Sequence, residues 1–306
     1  MSNNTDKLFA ELQSSIKALG HEPTQAELDR LINEFNAKIA ANENDPRAGG
    51  EAQFDEFDYL ELAANARSIK EKRNYLYKGL EVAPHNFDLK RELLRTEKLT
   101  HVERLKAIDA LIEEAAKELE SENCFKEFEG SFWGVFETRP YMRLRLEKFI
   151  LMYGMGMFSL AVKEAKDMLR LCENDNPGVR FYLLFLYVER EDMQAMERLV
   201  RKYDMKGSTS ALLAEAVYYY KQCEFEKAAA KLKDLCDVNK DTKVFFRIIK
   251  DTDARSVPDE HDIEYYAPDS LYELYITVID NYPVFRSLNG FFRFAYDSTK
   301  AGKKKK

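Results

Sequence analysis

Three tyrosines, Tyr153, Tyr187 and Tyr220, each stand eight residues before a small residue near the start of a second helix: Ala161, Ala195 and Ala228. Three basic side chains, Arg143, Arg180 and Lys221, lie on nearby positions. A phenol offers a rigid apolar plate with a polar tip, which suits recognition surfaces. Cationic heads beside it would meet the carboxylates of an acidic ligand. The constellation reads as a groove for a protein or peptide, acidic in character. It also fits a plainer reading, in which the tyrosines pack between helices and the cations are ordinary solvated charges.

Other chemistry is sparse. The run Glu137-Thr138-Arg139-Pro140 could position a ligand through Arg139 or simply fix a loop at its entry into a helix. Trp133 reads as an anchor under that loop. His21, His85, His101 and His261 are scattered and accompany no Gly-x-Ser-x-Gly nucleophile motif. No GxxxxGK[ST] loop is present to cradle phosphate. Cys124, Cys172, Cys223 and Cys236 lack CxxC spacing and read as reduced thiols, mostly in the core. Carboxylate pairs such as Glu113 and Glu114 read as solvated helix faces. The expectation is therefore no catalytic residue, no metal and no cofactor.

Charge narrows the partner classes. The 306-residue chain carries a net charge of −7, and its terminal AGKKKK adds four positive charges, leaving −11 on the rest. Such a body lacks the basic face that nucleic acid requires. No apolar run approaches the roughly 18 residues needed to span a bilayer. The opening MSNNTDKLFAELQ lacks the features of a secretory leader, so a cytoplasmic setting is expected.

The elements that must position these residues are helices. Residues 5–19 and 24–42 read as a pair, the second opened by a Thr24–Glu27 capping box and striped by Leu28, Leu31, Ile32, Phe35 and Ile39. Pro46, Gly49 and Gly50 mark a linker over 43–53. Residues 54–90 read as a first helical hairpin closed by Pro84, and Thr100 with Glu103 caps a long helix after it. From about 140 to 240 come three similar hairpins, with Pro140 and later Asp175-Asn176-Pro177 as start signals. Ala161, Ala195 and Ala228 are 34 and 33 residues apart, a period that marks stacked helical units. A last helix capped by Asp269 or Ser270 precedes an aromatic segment with Phe285, Phe291, Phe292, Phe294 and Tyr296. That segment could cover the final unit or form a patch for self-association.

Gly156, Phe158 and Ala161 in one hairpin, and Tyr219, Phe225 and Ala228 in another, resemble the tetratricopeptide repeat. Cys223 stands where that family has its turn glycine, and Lys148 and Glu215 stand where it prefers leucine. The stretches FWGVFETRPYMR and LRLCENDNPGVR are also similar to a group of bacterial repeat proteins without assigned chemistry. The resemblance implies a right-handed superhelix of paired antiparallel helices, and no activity. The expected architecture is all-α: an N-terminal helical pair (1–48), a repeat array (54–245), a C-terminal capping segment (258–300) and a lysine tail (301–306). The expected function is a non-enzymatic adaptor, with a self-associating structural protein as the alternative.

Overall fold

The computed structural model describes residues 23–40, 54–251, 266–288 and 290–300, with residues 7, 12, 15, 16 and 18–21 before them. Most of the helix expected at 5–19, the linker at 43–53, the stretch from 252 to 265 with His261, and the lysine tail lie outside the described residues. Among the described residues are sixteen helices and no named strand, so the chain is all-α. By their internal contacts these helices form two units. One holds residues 1–151 with 170–174, and the other holds 152–169 with 175–306.

The first unit begins with α1 (Gln25–Ala40), where Thr24 N donates to Glu27 Oε2 at 2.9 Å and Glu27 N to Thr24 Oγ1 at 3.4 Å. The reciprocal cap satisfies amides that have no carbonyl partner at a helix start. Leu31 alone of the described stripe is buried, whereas Ile32 is exposed. Next, α2 (Glu56–Ala64) and α3 (Ile69–Val82) form a hairpin. Its core is Leu60, Ala63, Leu76 and Leu89, backed by Tyr59, Tyr75, Leu80 and Leu93. Gly79 lets the helices meet closely, since a Cβ there would lie 2.8 Å from Leu89 Cδ2 and 3.0 Å from Tyr59 Cβ. Then come α4 (Phe87–Arg95), α5 (His101–Ser121) and the single turn α6 (Cys124–Glu127). The expected box on α5 is present, with Thr100 N donating to Glu103 Oε2 at 2.8 Å.

A loop then leads to α7 (Arg139–Gly154), whose second residue is Pro140. Thr138 Oγ1, fully buried, donates to the carbonyls of Phe132 and Val135, and Arg139 Nε donates to Trp133 O at 2.8 Å. Phe132 N bonds Leu171 O at 2.9 Å and Glu173 N bonds Gly130 O at 2.8 Å. These bonds hold the loop closed over Phe132, whose ring is buried beside Phe125 and Tyr141. The Glu137–Pro140 run thus fixes the loop's entry into α7. Trp133 is only half-buried.

The boundary between units runs through α7 and α8 (Phe158–Leu171). The second unit continues with α9 (Val179–Glu189), α10 (Met193–Lys202), α11 (Thr209–Lys221) and α12 (Phe225–Val238). Asp175, rather than Pro177, governs the start of α9 by accepting from Val179 N and Arg180 N, both at 2.8 Å. After α13 (Thr242–Ile249), α14 (Leu271–Asp280) opens on Ser270, which accepts from Glu273 N at 3.4 Å. The short α15 (Tyr282–Phe285) and α16 (Phe291–Lys300) follow, and α16 packs on α12 and α13. Phe285, Phe291 and Phe292 are buried; Phe285 meets Phe185 and Phe291 meets Tyr220 and Phe246. The aromatic segment therefore packs mainly into the core of this unit, with Phe294 and Tyr296 half-buried. Asn239, fully buried, donates to Ser270 O at 2.9 Å, and Asp241 accepts from Leu271 N at 3.0 Å, tying α14 to the α12–α13 turn.

Candidate partner-binding site

The tyrosine ladder does not form a surface. Tyr153 is 2% exposed, with its hydroxyl donating to Asn281 Oδ1 at 3.0 Å and its ring edge-on to Tyr182. Tyr187 is 6% exposed. Tyr220 is wedged among Phe225, Phe291 and Phe294 at ring distances of 5.2–5.7 Å. Tyr153 and Tyr187 are buried packing residues, and Tyr220 is half-buried against its three ring neighbours.

The three are not in register either. Each hairpin turn ends its first helix with the same bond: Met157 N to Met152 O, Asp192 N to Tyr187 O and Glu224 N to Tyr219 O, all at 2.9 Å. The residue before each donor, Gly156, Glu191 or Cys223, is left-handed with φ of 75°, 57° and 58°. This is the Schellman ending, in which a left-handed residue lets the last carbonyls find donors. Counted from that turn, Tyr187 matches Met152 and Tyr219, while Tyr153 matches Val188 and Tyr220. Likewise Met196, rather than Ala195, is the counterpart of Ala161 and Ala228. The donors fall at 157, 192 and 224, so the spacings are 35 and then 32 residues.

The basic trio is equally committed within the protein. Arg143, in the first unit, pairs with Asp88 at 2.5 Å and lies over the Trp133 ring. Arg180, in the second, is 3.8 Å from Asp175 and stacks on Phe181 and Tyr203. Lys221 Nζ donates to Glu189 O at 2.9 Å and to Glu189 Oε2 at 3.0 Å. None of these three cations therefore stands ready for an acidic ligand. The other departures from the repeat pattern are also paired: Lys148 meets Asp109 at 2.7 Å and Lys231 meets Glu215 at 2.6 Å.

Two adjoining cavities of the first unit offer more. The larger, about 540 Å³, is lined by Leu12, Ile16, Cys124, Phe128, Val135, Arg139 and the carboxylates Glu122, Glu127 and Glu137. A second, of about 230 Å³, shares Glu122, Phe136 and Glu137 with it. Its wall carries the aromatics Phe57, Phe87, Phe136 and Tyr141 and the carboxylates Glu56, Asp88, Glu118, Glu122 and Glu137, with neither lysine nor arginine. Asp88 is 9% exposed, and its Oδ1 accepts no hydrogen bond, although Arg91 Nη1 lies 3.3 Å away. The field is felt at Cys124, where burial pushes the thiol up and Glu122, Glu137 and Glu127 push the same way. That keeps Cys124 a thiol rather than a nucleophilic thiolate. Aromatic faces and carboxylates around an apolar slot suit an ammonium or guanidinium on an aliphatic stem.

Of these residues the sequence singles out the Glu137–Pro140 run as a possible ligand-positioning element, but the others come from the α2 start, the α3–α4 turn and the end of α5 and are joined only by folding. Of the other thiols, Cys172 is buried, Cys236 half-buried and Cys223 exposed at its turn. In the second unit, desolvation by packed neighbours pushes the Asp280 carboxyl up to about 6 although the residue as a whole is exposed; the hydrogen bond with Tyr182 pulls the other way. Among the described residues no helix is long and apolar enough to cross a membrane. In comparisons with known proteins, no family model and no curated protein matches the chain.

Proposed function

We propose that this chain is a non-catalytic binding protein built as a tetratricopeptide-like superhelix, and that its first unit holds a basic segment of a partner protein. The repeat reading rests on the three consecutive hairpins that share one turn bond and one left-handed residue. The binding reading rests on a single observation: the smaller cavity is walled by five carboxylates and four aromatic rings without a lysine or arginine. A lysine or arginine side chain entering it would trade water for carboxylates and ring faces while burying its methylene stem. Neighbouring side chains of the same segment would lie along the adjoining larger cavity. Nothing in this scheme calls for bond making or breaking, and the raised Cys124 thiol accords with a binding role.

Fluorescence anisotropy with labelled peptides of equal length, one lysine-rich and one glutamate-rich, tests the reading. The lysine-rich peptide should bind the full chain, more weakly as salt rises, because the pairing is partly solvent-screened. Equal binding of both peptides, or preference for the acidic one, would reject it.

A further inference from the structure

We propose that His85, Glu114 and Glu118 form a binding site for a divalent transition-metal ion, with zinc as the probe. His85 lies in the turn between α3 and α4, and the two glutamates are one turn apart on α5, so they share a face. One donor atom from each of the three lies within 4.8 Å of the others, and His85 Nδ1 is already 2.8 Å from Glu118 Oε1. Imidazole and carboxylate oxygen bind zinc at about 2.0–2.2 Å, which places neighbouring donors about 3.4 Å apart around one ion. All three side chains are exposed, so small rotations close that gap without backbone movement. Three protein donors leave a coordination position open to water or to another ligand.

A second observation points to a cation at the same place. His85 and Glu118 stand in the wall of the smaller cavity, and that wall also carries Glu56, Glu122 and Glu137, while its buried Asp88 is held by Arg91 and Arg143. The negative field there attracts a divalent ion and offsets part of the cost of stripping its water. One competitor is built in: Lys90 Nζ sits 2.6 Å from Glu114 Oε1 and must swing away when the metal enters. The metal would share His85 and Glu118 with the wall proposed for the peptide, whereas Glu114 and Lys90 lie outside it, so zinc titration without peptide reads the metal site by itself.

Isothermal titration of the full chain with zinc chloride tests it, alongside His85→Ala, Glu118→Gln and Lys90→Gln. One ion per chain is expected. His85→Ala and Glu118→Gln should each bind at least about tenfold more weakly, since even loss of an outer-shell partner costs that much. Lys90→Gln should bind more tightly, because it frees Glu114, and no loss of fold can produce that result. Absence of zinc binding, or binding that His85→Ala leaves unchanged, would overturn the proposal, the latter by assigning the ion to scattered surface carboxylates.

Discussion

Cys223 shows how a single residue reveals the plan of a turn. Its position as the replacement for a turn glycine was readable in the sequence, and the structure gives it φ of 58°. A side chain in that conformation costs roughly 1–2 kcal/mol, because Cβ crowds the next carbonyl. Cys223→Gly should therefore stabilise the chain by about 1 kcal/mol in urea unfolding, less whatever entropy glycine returns to the unfolded state. Gly156→Ala should do the reverse by a similar amount. Asp280 makes a second prediction. Its native carboxyl, held up to about 6, titrates above the ordinary 3.8, so the folded chain binds more protons between these values. Stability from this group is complete below about pH 3.8 and is lost as pH rises through 6. Asp280→Asn should melt higher than the wild type at pH 7.5 and converge with it near pH 4, by a small margin given the partial exposure of Asp280. A melting difference that does not change between these pH values would refute this.

Among the elements, local rules were read well and long-range ones poorly. The capping boxes at Thr24 and Thr100, the end of α3 before Pro84 and the start of α14 at Ser270 all follow from neighbours within four residues. The tyrosine register failed for a different reason. The hairpin turns are alike, but they recur 35 and then 32 residues apart, and a one-residue shift in the middle unit leaves the apolar pattern looking intact while rotating each position by about 100° around the helix. Aligning on alanines hid that shift; the left-handed turn residue exposes it. Helix contact is equally invisible locally, and Gly79 illustrates this. Nothing nearby requires a glycine in α3, yet Leu89 and Tyr59 leave no room for a methyl group. Gly79→Ala should cost about 1–3 kcal/mol through overpacking, measured by urea denaturation. A neutral result would mean that the α2–α3–α4 core yields easily.

At the scale of the whole molecule, charge carries most of the functional argument. The sequence shows an acidic body and also offers Arg143, Arg180 and Lys221 as a basic set, which the structure pairs within the protein instead. Arg143 and Lys221 are paired with carboxylates found only once the chain is folded: Asp88 lies 55 positions from Arg143, and Glu189 lies 32 from Lys221, whereas Arg180 meets the local Asp175. Carboxylates instead gather in the first unit, where four separate segments bring five of them to one cavity wall. Glu122 is the best probe of that place. It is exposed, follows the last residue of α5 and lines both cavities, so a lysine there should leave the helix intact and even suit its C-terminal dipole. The deciding measurement is the affinity of Glu122→Lys for the labelled lysine-rich peptide, with thermal melting run in parallel. The account predicts wild-type stability with peptide binding weakened severalfold or lost. Undiminished binding by a normally folded Glu122→Lys chain would contradict it.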